Sequence, residues 1–162
     1  MKIYIGSDHA GFEMKEKLKI FLAGLGYEVE DKGAFELNND DDYPDFITPV
    51  TEAIAKDNLG AQLPNESVGI ILGGSGQGEA MCANKVKGIR CAVYYGAPNK
   101  NQIDMSGHSL DMIASTRMHN HANILSLGAR FISEEEAEQV VKTFLETAYS
   151  EEERHVRRVE KF

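Results

Sequence analysis

The pattern of apolar runs predicts an α/β fold. We expect one doubly wound, Rossmann-like domain over residues 1–162, with a five-stranded parallel sheet and helices on both faces, closed by a C-terminal helix at about 151–162. Three observations support this. Short β-rich runs alternate with helix-type segments five times, as strands joined by crossover helices do. The run Val68-Gly69-Ile70-Ile71-Leu72 breaks into Gly73-Gly74-Ser75-Gly76-Gln77-Gly78, with four glycines in six positions. The first run also ends in small polar residues, Ser7-Asp8-His9, and doubly wound sheets bind ligands beyond the carboxyl ends of their strands.

The elements read in order as follows. Lys2-Ile3-Tyr4-Ile5 is the first strand. A helix follows, with Met14, Leu18, Phe21, Leu22 and Leu25 at helical spacing and Gly24 and Gly26 near its end. Tyr27 to Asp31 is a second strand, and Gly33 to Tyr43 a loop. The tract Asp40-Asp41-Asp42 lacks the spacing of a divalent-ion site and reads as solvated loop. A second helix is expected from Phe46 to about Asn58, where Pro49 is tolerable only in the first turn. Gly60 to Ser67, containing Pro64, is a polar connector. After the glycine-rich turn, Ala80 to Lys85 carries a helix, and Ile89 to Tyr95 is a fourth strand. Gly96 to Asn120 is less regular, although Leu110, Met112, Ile113 and Met118 imply some helical packing. Asn123 to Gly128 is the fifth strand. Ser133 with Glu136 forms a capping box before a helix from Glu134 to Ala148, whose apolar face is Val140, Val141, Phe144 and Leu145. The basic tail with Arg154, His155, Arg157 and Arg158 cannot bury itself alone and needs a surface on its own domain or on a partner subunit.

Composition narrows the class. A chain of 162 residues suffices for one proper core, and 42% apolar with 27% charged residues is ordinary for a soluble globular protein. A net charge of −9 argues against non-specific nucleic-acid binding. A phosphate ligand would need local cations. Cys82 and Cys91 lie in apolar segments without metal-ligand spacing, which suits a reducing compartment. No signal-peptide pattern opens the chain and no run approaches membrane-spanning length. The expectation is a cytoplasmic protein with neither membrane nor nucleic-acid partner.

The glycine-rich turn is an anion site on physical grounds, because it presents backbone N–H groups at a helix start. Glu79 sits against it and needs a reason. One reading is a surface glutamate in a first helical turn, favoured by the helix dipole. The other is a general base that removes a carbon-bound proton while loop amides hold the developing oxyanion. The loop alone leaves both open.

A set of separated motifs goes further. Ser7-Asp8-His9-Ala10-Gly11, the glycine turn with Ala83-Asn84-Lys85 after it, His119-Asn120, and Arg154-His155 with Arg158 occur in that order across nearly the whole chain. Together they resemble the ribose-5-phosphate isomerase B family, which also includes the galactose-6-phosphate isomerase subunits. The resemblance implies an aldose–ketose isomerase that works through a cis-enediolate without metal or cofactor. It places Asp8 near the sugar hydroxyls and His9 near the phosphate. Gly74, Ser75, Gly76 and Gly78 then hold the enediolate oxygens rather than the phosphate. His119 matches a ring-opening histidine and Asn120 a neighbour of the reacting end. Arg130, Arg154 and Arg158 match phosphate-clamping arginines, with His155 beside them, and Tyr43 lines the pocket. Many members carry a cysteine base where this chain has Gly73. This chain resembles instead the subgroup with a glutamate after the last loop glycine, which makes Glu79 the base.

The stretch between Tyr95 and His119, including Ser106-Gly107-His108-Ser109, is longer than in compact members. His108 and His121 have no counterpart and read as surface or structural residues. The expected substrate is a small sugar phosphate, ribose 5-phosphate going to ribulose 5-phosphate. The alternatives are a six-carbon phosphate such as galactose 6-phosphate or allose 6-phosphate, or a phosphate-binding domain without catalysis. Homodimers or homotetramers with shared active sites are expected.

Overall fold

The computed structural model describes residues 1–59, 66–100, 102–103, 107 and 109–162. Most of the expected connector with Pro64, together with Ser106 and His108, lies outside the described residues. In chain order the elements are β1 (Lys2–Ser7), α1 (Phe12–Gly24), β2 (Glu28–Asp31), α2 (Pro44–Asp57), β3 (Val68–Gly73), α3 (Gln77–Ala83) and β4 (Cys91–Tyr94). Then come β5 (Gln102–Ile103), β6 (Ser109–Leu110), α4 (Met112–Asn120), β7 (Ile124–Gly128), α5 (Glu134–Glu146) and α6 (Glu153–Val159).

Five strands form one parallel sheet in the order β2-β1-β3-β7-β4, and β5 with β6 makes a small antiparallel pair. The chain steps from β1 outward to β2, then returns to lay β3 on the other side of β1. The strand order therefore reverses between β1 and β3, and the loops leaving their carboxyl ends flank one crevice. The last-formed strand β7 lies inside the sheet, with Gly73 opposite Gly128, while β4 is the edge.

Alternation along the strands builds two core layers, because successive side chains point to opposite faces. Ile3, Ile5, Ile70, Leu72, Leu125 and Leu127 pack with Leu18 and Leu22 of α1 and with Val141 and Phe144 of α5. Tyr4, Ile71 and Ile124 pack on the other face with Ile47, Val50 and Ile54 of α2 and Ala83 of α3. Each fully buried Leu or Ile contributes roughly 1.5–3 kcal/mol relative to exposure.

Several local expectations need correction. Helix α2 starts earlier than its apolar spacing suggests, because Tyr43 caps it and Pro44 fits the first helical position. Pro49 then falls beyond the first turn, where its missing N–H leaves the Asp45 carbonyl without a helical donor. The capping box forms by half. Ser133 Oγ accepts from the Glu136 N–H (3.2 Å), but the Glu136 carboxylate accepts from the Tyr94 hydroxyl (2.6 Å). The two-stranded β5–β6 pair in the 96–118 stretch was not signalled by its sequence. The tail helix α6 lies against α4 of its own chain, with His155 as its buried residue. No described helix is long and apolar enough to cross a membrane.

Candidate active site

The glycine-rich loop is held from the side by β7. Gly76 adopts φ +72° at the start of α3, and a Cβ there would come within 3.0 Å of both the Leu127 carbonyl carbon and Ser126 Oγ. Only glycine fits such a position without strain. The buried Ser126 hydroxyl donates to the Gly76 carbonyl (2.7 Å). The Ala129 N–H donates to the Gly73 carbonyl (2.9 Å) and the Arg130 N–H to the Gly74 carbonyl (3.1 Å). The loop thus uses its carbonyls on the neighbouring strand and turn. Among the described residues, no hydrogen bond takes the N–H of Gly74, Ser75 or Gly76, leaving donors suited to an oxyanion. Ser126 was missed in the sequence. Its signal was a serine inside the apolar run Ile-Leu-Ser-Leu-Gly.

Glu79 is not a solvated helix-start residue. It lies in the first turn of α3 and is only 4% exposed. Its carboxyl rests over Gly73, so that a Cβ at position 73 would overlap it. Burial pushes its pKa above the ordinary glutamate value, its own backbone N–H works the other way, and the charge of Asp8 adds to the rise. Asp8 is itself buried, and its Oδ1 accepts from the N–H groups of Ala10 (2.9 Å) and Gly11 (3.2 Å). Gly11 lets that turn press on β3, because a Cβ there would meet Leu72 Cβ at 2.6 Å.

Around this acid lie His9, Arg130 and Tyr43. A Cβ on Gly74 would touch the Arg130 guanidinium at 3.4 Å, and a Cβ on Gly78 would meet the Tyr43 ring at 3.1 Å. Tyr43 therefore covers Gly78, and Arg130 reaches over the loop. His9 Nδ1 lies 2.6 Å from Asp41 Oδ1. Asp8, His9 and Asp41 bring one ligand-type atom each within 4.8 Å of one another. Nδ1 already bonds Asp41, and Asp8 Oδ1 already accepts from two backbone amides.

The remaining sequence-nominated residues form a second group. His119 and His155 pack ring on ring, with centroids 4.4 Å apart, and His155 Nδ1 meets Ser150 Oγ at 2.7 Å. His155 is 3% exposed, and burial, then His119, holds its pKa below the usual histidine value. Asn120 ends α4, and Arg154 and Arg158 are exposed on α6. Helix α4 delivers this group to the amino end of β7, whereas Glu79 sits at the carboxyl ends of β1 and β3. The length of β7, roughly 13 Å at the rise of a strand, separates those ends. One chain therefore assembles Asp8, His9, Tyr43, the loop, Glu79 and Arg130, and separately assembles His119, Asn120, Arg154, His155 and Arg158. His121 belongs to neither. It pairs with Glu66 (2.7 Å) and stacks on Tyr149, which is a structural role.

Comparison with known proteins agrees with this architecture. The model of a family described as Ribose/Galactose Isomerase matches residues 3–162. Ribose-5-phosphate isomerase B of Mycolicibacterium paratuberculosis is 38% identical over 161 residues, covering 99% of this chain and 88% of that protein. A crystal structure of a ribose 5-phosphate isomerase from Thermotoga maritima superposes with TM-score 0.81 at 39% identity, covering 99% of this chain and 95% of that one. Ribose-5-phosphate isomerase B from Mycoplasma genitalium, solved with bound ribulose-5-phosphate, gives TM-score 0.82 at 31% identity, over 99% and 92% of the two chains.

Proposed function

The chain belongs to the ribose/galactose isomerase family, and from that premise we propose that it interconverts ribose 5-phosphate and ribulose 5-phosphate as one domain over residues 1–162. The observation that carries the reading is the buried Glu79 carboxyl over Gly73, next to loop amides that have no partner among the described residues. Relatives that match nearly the whole of this chain and are named for this activity support it.

The chemistry follows from the geometry. After His119 assists ring opening, the Glu79 carboxylate takes the proton from C2 of the open aldose. The C–H electron pair becomes the C1=C2 bond, and charge collects on O1. The amides of Gly74, Ser75 and Gly76, with the Ser75 hydroxyl, stabilise that cis-enediolate. Glu79 returns the proton to C1 while the O2 proton passes to O1, which leaves the ketone at C2. A carboxyl raised by burial suits this role, since a base works best with a pKa nearer the operating pH. Asp8 contacts the sugar hydroxyls and Asn120 the reacting end. His9 and Arg130 on one side, with Arg154 and Arg158 on the other, hold the phosphate. His155, buried against His119, supports that ring.

Both groups cannot serve one substrate within a single chain, since they lie at opposite ends of the sheet. We therefore propose a homodimer, or a homotetramer built from it, in which the His119 group of one copy completes the Glu79 group of the other. The test of function is a panel of specificity constants on five- and six-carbon sugar phosphates, with solvent deuterium followed at C1 and C2. Preferred turnover of ribose 5-phosphate with label exchange is expected. Higher efficiency on galactose 6-phosphate or allose 6-phosphate would move the substrate class, and absence of both turnover and exchange would overturn the reading.

A further inference from the structure

We infer that Asp41 is the positioning residue of the phosphate end: it grips the His9 imidazole through Nδ1 so that a cationic Nε2–H is presented to the anion. The assignment rests on the isomerase reading above for what that anion is. It rests on geometry for the rest.

Asp41 lies in a loop 32 residues from His9, between two exposed aspartates, yet its own side chain is only 6% exposed. The loop turns it inward. The Asp40 N–H donates to Asn38 Oδ1 (3.1 Å) and the Asp41 N–H to the Asn38 carbonyl (3.2 Å). Asp41 Oδ1 then takes two bonds from one residue, from the His9 backbone N–H (3.1 Å) and from the ring Nδ1 (2.6 Å). That pair fixes both the position and the rotation of the ring. Its other nitrogen, Nε2, has no partner among the described residues, and the side chain is 27% exposed. Asp41 Oδ2 is buried and likewise unpartnered among the described residues. A buried carboxylate with one oxygen unpaired is costly unless the group it does bond carries positive charge.

The groups facing His9 from each neighbouring element are Asp41 from the 33–43 loop, Asp8 from the β1–α1 turn and Arg130 from the β7–α5 turn. The Asp41 hydrogen bond is the largest influence and raises the His9 pKa above the ordinary histidine value; Asp8 adds to the rise and Arg130 opposes it. The ring thus keeps its proton to higher pH than an ordinary histidine does, which favours pairing with a sugar phosphate, whose second ionisation lies near 6. As pH climbs through the raised value, the cation and its contribution to binding are lost.

The test is Asp41→Asn, which keeps an acceptor for the backbone N–H and removes the charge, with the exposed neighbour variant Asp40→Asn as control. For ribose 5-phosphate, KM should rise about tenfold in Asp41→Asn, with kcat within about threefold, at a pH between the His9 titration midpoints of variant and wild type. The gap should close as pH falls below both midpoints, where both rings are protonated. Nitrogen-15 spectra should show His9 titrating at lower pH in Asp41→Asn than in wild type or Asp40→Asn. In wild type, inorganic phosphate should bind with an affinity that falls as His9 deprotonates. The spectra and phosphate titration need no turnover, so they stand even if the substrate is another sugar phosphate. Unchanged His9 titration in Asp41→Asn, a loss confined to kcat, or a wild-type His9 that titrates at or below the ordinary value would each overturn the inference.

Discussion

The Glu79 carboxyl fills the space over Gly73 that any side chain at position 73 would need. The turn from β3 into α3 makes this possible, because the loop folds the first turn of the helix back over the strand end. The two positions share one seat. The absent Cβ of Gly73 is what admits the helix residue.

Gly73→Ala tests that relation directly. The methyl group must displace the carboxyl, and a misplacement of an ångström at a reacting group costs on the order of 100-fold in rate. We expect kcat/KM to fall by about that factor with the melting temperature changed by only a few degrees. Steady-state kinetics beside thermal melts decide it; near-wild-type turnover in Gly73→Ala would show that Glu79 does not depend on that vacancy.

Glu79→Gln separates chemistry from stability. Loss of a general base should lower kcat by roughly 10²–10⁴-fold with KM little changed. The stability effect runs the opposite way. The folded pKa is raised above the ordinary 4.5 of glutamate, so the folded state prefers the protonated acid. Its favourable contribution is complete below the unfolded value and is lost as pH rises through the folded one. Above that folded value the wild-type protein holds an ionised carboxylate in a buried seat, and there Glu79→Gln should melt a few degrees higher, with the difference vanishing near pH 4. Melts across pH check this, and a variant equally stable on both sides of that value would remove burial as the source of the shift. For the enzyme, kcat should drop as pH falls through the same raised value.

Ser126→Ala probes the scaffold of the loop. The Gly76 carbonyl loses the Ser126 bond but keeps the one from the Ala80 N–H (3.0 Å), so the cost should be about 0.5–1.5 kcal/mol. Because that carbonyl helps fix the left-handed turn, kcat should fall about tenfold as the amides lose registration. Chemical denaturation and kinetics on the same preparation test both parts. Unchanged kcat with reduced stability would confine Ser126 to packing.

What the sequence disclosed tracks how local each signal is. The strand alternation, the glycine turn and the Ser7-Asp8-His9 strand end depend on neighbours within a few residues, and the structure has them as expected. Asp41 was read as solvated loop because its partner is 32 residues away and its flanking aspartates are exposed. Pro49 was placed in a first turn because apolar spacing begins at Phe46, whereas Tyr43 and Pro44 start the helix. The division of the nominated residues into two groups depends on strand order. With β7 inside the sheet and α4 ending at its amino end, His119 is carried away from Glu79, and no periodicity encodes that.

That division gives the strongest test of the whole arrangement. If each active site takes Glu79 from one copy and His119 from its partner, then Glu79→Gln and His119→Ala homodimers are both nearly inactive. Mixed after dissociation, they form hybrids in which one site carries both lesions and the other carries neither. Random pairing makes half of the dimers hybrid, each with one intact site of two, so roughly a quarter of wild-type activity should return. The same mixture of Glu79→Gln with Gly73→Ala must stay inactive, because those residues sit on the same chain's half of the site. Activity measured before and after subunit exchange, with hybrid formation followed by native mass spectrometry, resolves the two cases. Hybrids that form and regain nothing would place both groups within one chain's own site, and a dimer interface elsewhere on the fold would follow.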